Sequence, residues 1–314
     1  MSEPIVYLRG EFMPASQAGL AIFDAGVVLG ATVTEMTRTF GHKLFRLQDH
    51  LGRLSRALRY VRFETGLDLP KWTEISEKIL QHNKQFIGPD DELGMIHFVT
   101  AGEYKTYAGM AGRQANSTPT VCVHTFPLPF ELWAEKFEKG QHLITPSIRH
   151  VPPQCYDPKM KYRSRMHYYL GDKEAQVADP NASALLLDLD GNVTETSGAN
   201  FLIVENGSIV APTLRNTLPG ISRATVRELA GELGIPFVER DFQVYNVINA
   251  EEAFTSSTPY CLLPVTKING LAIGSGRPGP ITKKLLDAWG QKVGVDIRKQ
   301  MLEGAMRRAA QNPA

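Results

Sequence analysis

Between residues 157 and 175 the chain reads DPKMKYRSRMHYYLGDKEA, with two lysines and two arginines, Lys159, Lys161, Arg163 and Arg165, inside seven positions. Met166, Tyr169 and Leu170 then recur at helical spacing, which predicts one amphipathic helix headed by the basic run. A helix dipole disfavours cations at its N-terminus, so the cluster is either a solvated face or the setting for a reactive amine. Neighbouring positive charge lowers a lysine's pKa and favours the neutral, nucleophilic form. The residues alone leave open which lysine that is.

Four other stretches bear on the same question. In LPGIS, 218–222, a proline and a glycine set a turn, and Ser222 is expected to cap the helix that follows. The first-turn N–H groups of Ile221 and Ser222 then offer an anion site; an ordinary capped helix is the simpler reading. Arg53 begins a series with Arg56, Arg59 and Arg62 at three-residue steps, which reads as a solvated basic face unless Arg53 turns inward to grip a phosphate with its planar fork. Glu195, in NVTETSGANFLIV, either lies exposed on a strand edge or faces inward against a ring cation, with small residues behind it that permit close approach. Thr255-Ser256-Ser257-Thr258 is a hydroxyl-rich turn or a second set of phosphate donors. Together, a lysine, a carboxylate, a helix N-terminus, a hydroxyl loop and an arginine are the parts needed to hold a phosphorylated pyridine aldehyde.

These parts require a scaffold, and the patterning supplies one. PIVYLRG, LAIFDAG, VVLGATVTEMTRTF, MIHFVTAG and TPTVCVHTF read as strands, with a turn at FGHK. Leu47, Leu51, Leu54, Leu58 and Val61 form an apolar helical stripe, and KWTEISEKILQHNKQF a second helix. Prolines at 127–129 mark a linker. Asp190-Gly191-Asn192 and Asn206-Gly207 are hairpin turns. The sequence RATVRELAGELG presents Val226, Leu229 and Leu233 inward, and two helices close the chain. The expected class is α+β, with a small domain over 1–126, a linker over 127–140 and a larger domain over 141–314.

Composition narrows the function further. The 314 residues are 43% hydrophobic and 21% charged, with a net charge of +1, as in a soluble globular protein without a bulk basic surface for nucleic acid. Three separated cysteines, Cys122, Cys155 and Cys261, fit a reducing compartment, and none has metal-site spacing. No signal pattern or apolar run of membrane-spanning length is present, so the cytoplasm is the expected location, with no membrane and no metal. GxSxG and GxGxxG are absent, which weighs against hydrolase and dinucleotide chemistry.

Six ordered motifs, YLRGEFMP…FDAGVVLGATVTE, FRLQDHLGRL, K…GDKEA, DLDGNVTETSGANFLIV, LPGISRATV and SSTPYCLLPVTKINGLAIGSGRPGPIT, resemble the class IV aminotransferases, the fold-type IV pyridoxal 5'-phosphate (PLP) enzymes. The resemblance runs from about Val6 to Trp289. It implies a small N-terminal α/β domain and a larger domain with a β-barrel-like core, with the cofactor between them, in a homodimer. It also implies a ping-pong transfer between a small-molecule amino donor and a keto acceptor. Position by position, Lys161 matches the Schiff-base lysine, with Lys159 the runner-up, and Glu195 matches the pyridine-nitrogen partner. Arg53, Ile221, Ser222, Ser257 and Thr258 match the phosphate cup. Leu29, Thr34, His97, Arg163 and Arg165 are the substrate-pocket candidates. Leu29 and Thr34 stand where relatives carry aromatics, Ala101 where D-amino-acid and (R)-amine enzymes carry arginine, and Cys261 where branched-chain enzymes often carry glutamate. Arg163 or Arg165 is placed to meet the cofactor O3' or a substrate carboxylate. The alternative is a PLP lyase of the aminodeoxychorismate lyase type, with the same lysine.

Overall fold

The computed structural model describes residues 2–108 and 118–311. Two compact units result: residues 1–128 with 160–164, and 129–159 with 165–314. The basic run is therefore divided, with Lys161 and Arg163 in the first unit and Arg165 in the second.

In the first unit a six-stranded antiparallel sheet carries two helices. Its strands are β1 (Ile5–Leu8), β2 (Glu11–Pro14), β3 (Thr32–Phe40), β4 (Lys43–Leu44), β5 (Leu93–Thr100) and β6 (Thr120–Pro127), in the order β2-β1-β6-β5-β3-β4. The long helices are α2 (Leu47–Val61) and α3 (Leu69–Asn83); α1 (Ala25–Val28) and α4 (Lys105–Ala108) are single turns. The stripe expected on α2 is the one that packs: Leu51, Leu54, Leu58, Trp72, Ile75 and Ile79 meet Val33, Met95, Val99 and Val123 of the sheet. Two expected strands shorten. LAIFDAG and VVL form a turn and α1 instead, because the Asp24 carboxylate accepts from the Gly26 N–H and caps that turn.

The second unit is built on a barrel. Its strands are β7 (Gln141–Ile144), β8 (Ser183–Leu187), β9 (Val193–Thr196), β10 (Asn200–Glu205), β11 (Ser208–Ala211), β12 (Phe237–Glu239), β13 (Glu252–Ser257), β14 (Cys261–Ile268) and β15 (Leu271–Ala272). Hydrogen bonding runs β12-β11-β10-β13-β14-β7-β8-β9, and β9 returns to β10, closing six strands on themselves. Closure removes the edges that an open sheet must protect. Around the barrel lie α5 (Lys136–Lys139), α6 (Met166–Ala178), α7 (Ile221–Glu232), α8 (Val244–Ile248), α9 (Pro280–Val293) and α10 (Ile297–Gln311). Both hairpin turns form where expected, with Asn206 and Gly207 at φ of 51° and 68° between β10 and β11.

The lysine-headed helix is corrected. Helix α6 begins only at Met166, and Arg165 before it has φ −111° and ψ 27°. Residues 161–163 instead run along β3: Thr34 N–H donates to the Lys161 carbonyl at 2.8 Å, and Arg163 N–H to the Thr32 carbonyl at 3.1 Å. Backbone pairing at the sheet edge outcompetes helix extension there and keeps Lys161 and Arg163 off the helix, while Arg165 stands at its N-cap.

Candidate active site

Glu195 sits on β9 and is 8% exposed, despite being a carboxylate. Cross-strand register places it opposite Asn200 of β10, and Asn200 opposite Ser256 of β13. Residues opposite one another share a sheet face, so the three form one polar row. Three neutral donors hold the carboxylate: Tyr168 Oη to Oε1 at 2.9 Å, Asn200 Nδ2 to Oε2 at 2.9 Å and Leu218 N–H to Oε2 at 3.2 Å. Such donors favour the ionised form without neutralising it. Ser256 completes the row with a buried hydroxyl that has no hydrogen-bond partner among the described residues. An orphaned buried polar atom of this kind is expected where a ligand supplies the missing partner.

Beside this row begins α7. Ser222, expected as its cap, lies inside the first turn and is buried; Gly220 holds the cap position with φ −63° and ψ 135°, and no side chain caps the helix. The reason is local. A Cβ at Gly220 would collide with Asn200 Oδ1, the same side chain that donates to Glu195 and to the Leu218 carbonyl. The cap residue of this 12-residue helix thereby supplies no side-chain acceptor to its first N–H groups, an arrangement suited to an anion. Ser257 donates its hydroxyl proton to the Gly198 carbonyl at 2.6 Å, which ties the β13–β14 turn to the loop after Glu195. Thr258 lies half-buried in that turn.

In the first unit Arg53 separates from its neighbours. It is 5% exposed, whereas Arg56, Arg59 and Arg62 are exposed. Its Nε and Nη2 grip Glu35 of β3 at 2.7 and 2.6 Å, and His50 Nδ1 lies 3.1 Å from the same carboxylate. Burial alone would raise the Glu35 carboxyl; the Arg53 charge and hydrogen bonds, with those of His50, outweigh it and hold the group well below the usual range. Burial lowers His50, which Glu35 partly opposes, while Arg53 and Lys161 lower it further. His50 is thus a neutral ring within the electrostatic reach of the Lys161 amine.

Of the five substrate-pocket candidates, Thr34, His97 and Arg163 are joined by hydrogen bonds. Leu29 is exposed at 58%. The Thr34 hydroxyl donates to the His97 carbonyl at 3.0 Å and accepts from Arg163 Nη2 at 3.2 Å. The His97 ring points to α3, 2.8 Å from Ser76 Oγ and edge-on to Trp72, and burial drives its pKa down to about 3. Arg163 lies over Phe98 in the first unit, and Arg165 over Tyr168 in the second.

Sequence reading missed Glu35, His50, His150, Tyr168 and Asn200. Glu35 had a signal: strand alternation sets it on the face of Val33, where an isolated carboxylate requires a cation. Tyr168 and His150 had none, because 18 positions separate two residues that meet only through the barrel. Among the described residues, no group of histidine, cysteine or acidic side chains could hold a metal, and no helix is long and apolar enough to cross a membrane.

Residues 32–268 match the family model of amino-transferase class IV. The chain is 30% identical over 290 residues to branched-chain-amino-acid aminotransferase-like protein 1 of Arabidopsis thaliana, covering 91% of this chain but 50% of that protein. It thus spans about half the length of that relative. To the D-alanine aminotransferase of Bacillus licheniformis it is 30% identical over 288 residues, covering 90% of this chain and 95% of that one. In fold it is similar to the branched-chain amino acid aminotransferase from Thermobaculum terrenum in its PLP-form, with a TM-score of 0.82, 22% identity, and coverage of 96% and 97% of the two chains. The chain belongs to the class IV aminotransferase family.

Proposed function

We propose that the protein is a PLP-dependent aminotransferase that moves an amino group between an amino acid or amine and a 2-keto acid in two half-reactions. The observation that carries this reading is the buried Glu195 carboxyl, bonded by three neutral donors and, among the described residues, by no cation, which suits it to a ligand cation. The orphaned Ser256 hydroxyl and the uncapped start of α7 fit the same phosphorylated ring. Bound there, PLP supplies an electrophilic carbon and an electron sink.

The chain supplies the rest. Lys161 Nζ would anchor the cofactor and, when free, would be the base that takes the donor's Cα proton and the acid that delivers it to the cofactor's reacting carbon. Glu195 keeps the proton on the ring nitrogen. Ile221 and Ser222 N–H groups, with Ser257, Thr258 and Arg53, hold the phosphate. Arg163 or Arg165 receives a substrate carboxylate or the cofactor O3'. Working as a homodimer in the cytoplasm, on small-molecule donors and keto acceptors, belongs to the same proposal.

Visible absorption of the PLP-loaded protein tests it. One class of donor should bleach the bound-cofactor band, and a keto acid should restore it. Lys161→Ala should abolish the lysine-linked band and Lys159→Ala should keep it. Release of pyruvate without any acceptor would assign elimination instead, and failure to take up PLP would overturn the reading.

A further inference from the structure

The Tyr168 hydroxyl lies 2.9 Å from Glu195 Oε1 and 2.9 Å from His150 Nε2, while His150 Nδ1 lies 2.9 Å from the Val151 carbonyl. A proton count orders this chain. The carbonyl and the carboxylate only accept, so Nδ1 carries a proton, and Tyr168 gives its single hydroxyl proton to Glu195 when His150 Nε2–H donates to Tyr168. Without a proton on Nε2, the tyrosine proton turns to the histidine and Glu195 loses a donor. His150 Nε2 itself stands 3.7 Å from Glu195 Oε1, beyond a direct hydrogen bond.

We propose that Tyr168, oriented by His150, is a positioning residue that fixes the Glu195 carboxylate and thereby keeps the proton on the nitrogen of the bound ring. This rests on the assignment of Glu195 as the ring-nitrogen partner. Each hydrogen bond to Glu195 makes it a weaker base, and a weaker base leaves the shared proton on nitrogen.

The setting supports an organised relay. Tyr168 is buried on α6 against Ala175, Ala184 and Leu186, and His150 is tied to β8 by donating its backbone N–H to the Leu187 carbonyl at 2.9 Å. The His167 ring stacks on Tyr168 with centroids 4.2 Å apart. Burial, then the His150 and Arg165 charges, push His167 down to about 4 against the opposing pull of Glu195, so it stays neutral beside the relay. Arg165 lies over the tyrosine ring. On its outer side His150 lines a small cavity with Asp188, Asp190 and Arg215. His150 therefore reaches Glu195 through one hydroxyl.

The test is 15N resonance of holoenzyme loaded with PLP labelled at the ring nitrogen. Tyr168→Phe should move the signal toward unprotonated pyridine at fixed pH, shifting the proton toward Glu195 about tenfold or more, the weight of one charge-assisted hydrogen bond. His150→Gln, which keeps a donor to Tyr168, should move the signal at fixed pH, if at all, toward protonated pyridine, and should add nothing once Tyr168 is phenylalanine. Tyr169→Phe, an exposed neighbour on α6, should change nothing. If Glu195→Gln moves the signal and Tyr168→Phe does not, the relay is wrong and the Glu195 assignment stands. If Glu195→Gln leaves it unmoved, that assignment fails first. Should Tyr168→Phe not fold, the direction of the His150→Gln shift decides alone, a move toward unprotonated pyridine overturning the relay.

Discussion

Replacing Glu35 by glutamine should destabilise the protein by about 3–5 kcal/mol at about pH 7, the cost of leaving one partner of a buried ion pair uncompensated. Glu35 is fully buried and receives two guanidinium hydrogen bonds at 2.6 and 2.7 Å, a third contact from His50 at 3.1 Å and the Met36 N–H at 2.9 Å. Glutamine keeps one acceptor but turns an N–H toward a guanidinium N–H, so the geometry fails as well as the charge. The pH dependence follows from the depressed carboxyl. Stabilisation from a lowered carboxylate is complete above its ordinary pKa of 4.5 and is lost as pH falls toward the folded value. The gap between parent and variant should therefore shrink in acid, by up to about 1.4 kcal/mol per pH unit below that point. Urea unfolding followed by far-ultraviolet circular dichroism at about pH 7 and about pH 3.5 measures both quantities. The double variant Glu35→Gln, Arg53→Met, which removes the stranded cation, should recover a large part of the loss. A gap under about 1 kcal/mol at neutral pH, or one equally large at the acid pH, would refute the claim that an ionised pair sits there.

Three further outcomes can be checked. His97→Gln, retaining a hydrogen bond to Ser76, should lessen the loss of stability between pH 6.5 and about 3: the parent holds this ring neutral and loses stability as pH falls through that window, because the unfolded chain binds the extra proton. A loss across that window as large as that of the parent would exclude His97 as a contributor. Gly220→Ala should destabilise the second unit by about 1–3 kcal/mol, since its Cβ meets Asn200, and should weaken PLP uptake; unchanged melting and uptake would contradict the account of the bare helix start. Ser256→Ala should leave the apo-protein as stable or slightly more so, because it removes an unsatisfied buried hydroxyl, while lowering PLP affinity. A marked loss of apo stability would show that the hydroxyl has a partner within the protein.

Much of the scaffold was legible because its signals were local. The α2 stripe, the Asn206-Gly207 turn and α7 all follow from periodicity and turn chemistry within a dozen residues. The start of α6 was misread because helical spacing after Met166 says nothing about Lys161, whose backbone is claimed by β3, more than a hundred residues earlier. LAIFDAG was misread for a related reason: its apolar residues alternate like a strand, but one aspartate side chain closes the turn first. Arg53 and Glu195 were each legible as candidates with two readings, and burial removed the solvent-exposed one in each case, with the Arg53 fork engaged by Glu35. The partners that define their roles were not legible, since Glu35, Tyr168, His150 and Asn200 are assembled by register and closure rather than by spacing.

The two buried glutamates argue the functional case by contrast. Glu35 faces a permanent cation at both oxygens, so its charge is neutralised inside the protein and its role is to hold Arg53 in place. Glu195 is nearly as removed from water, yet the three groups that bond to it, a phenol, an amide and a backbone N–H, are neutral, and the cations within its electrostatic reach, Arg223 and a protonated His150, do not bond to it directly. Hydrogen bonds of this kind stabilise an anion while leaving its field intact. A fold that needed only stability would be served as well by an apolar residue at position 195, because isolated buried charge is costly. Keeping the carboxylate, and donating three neutral hydrogen bonds to it beside an orphaned hydroxyl and a helix start without a side-chain cap, is what the proposed function requires, in which a cation bonded directly to Glu195 would arrive with a ligand whose phosphate the helix could also receive.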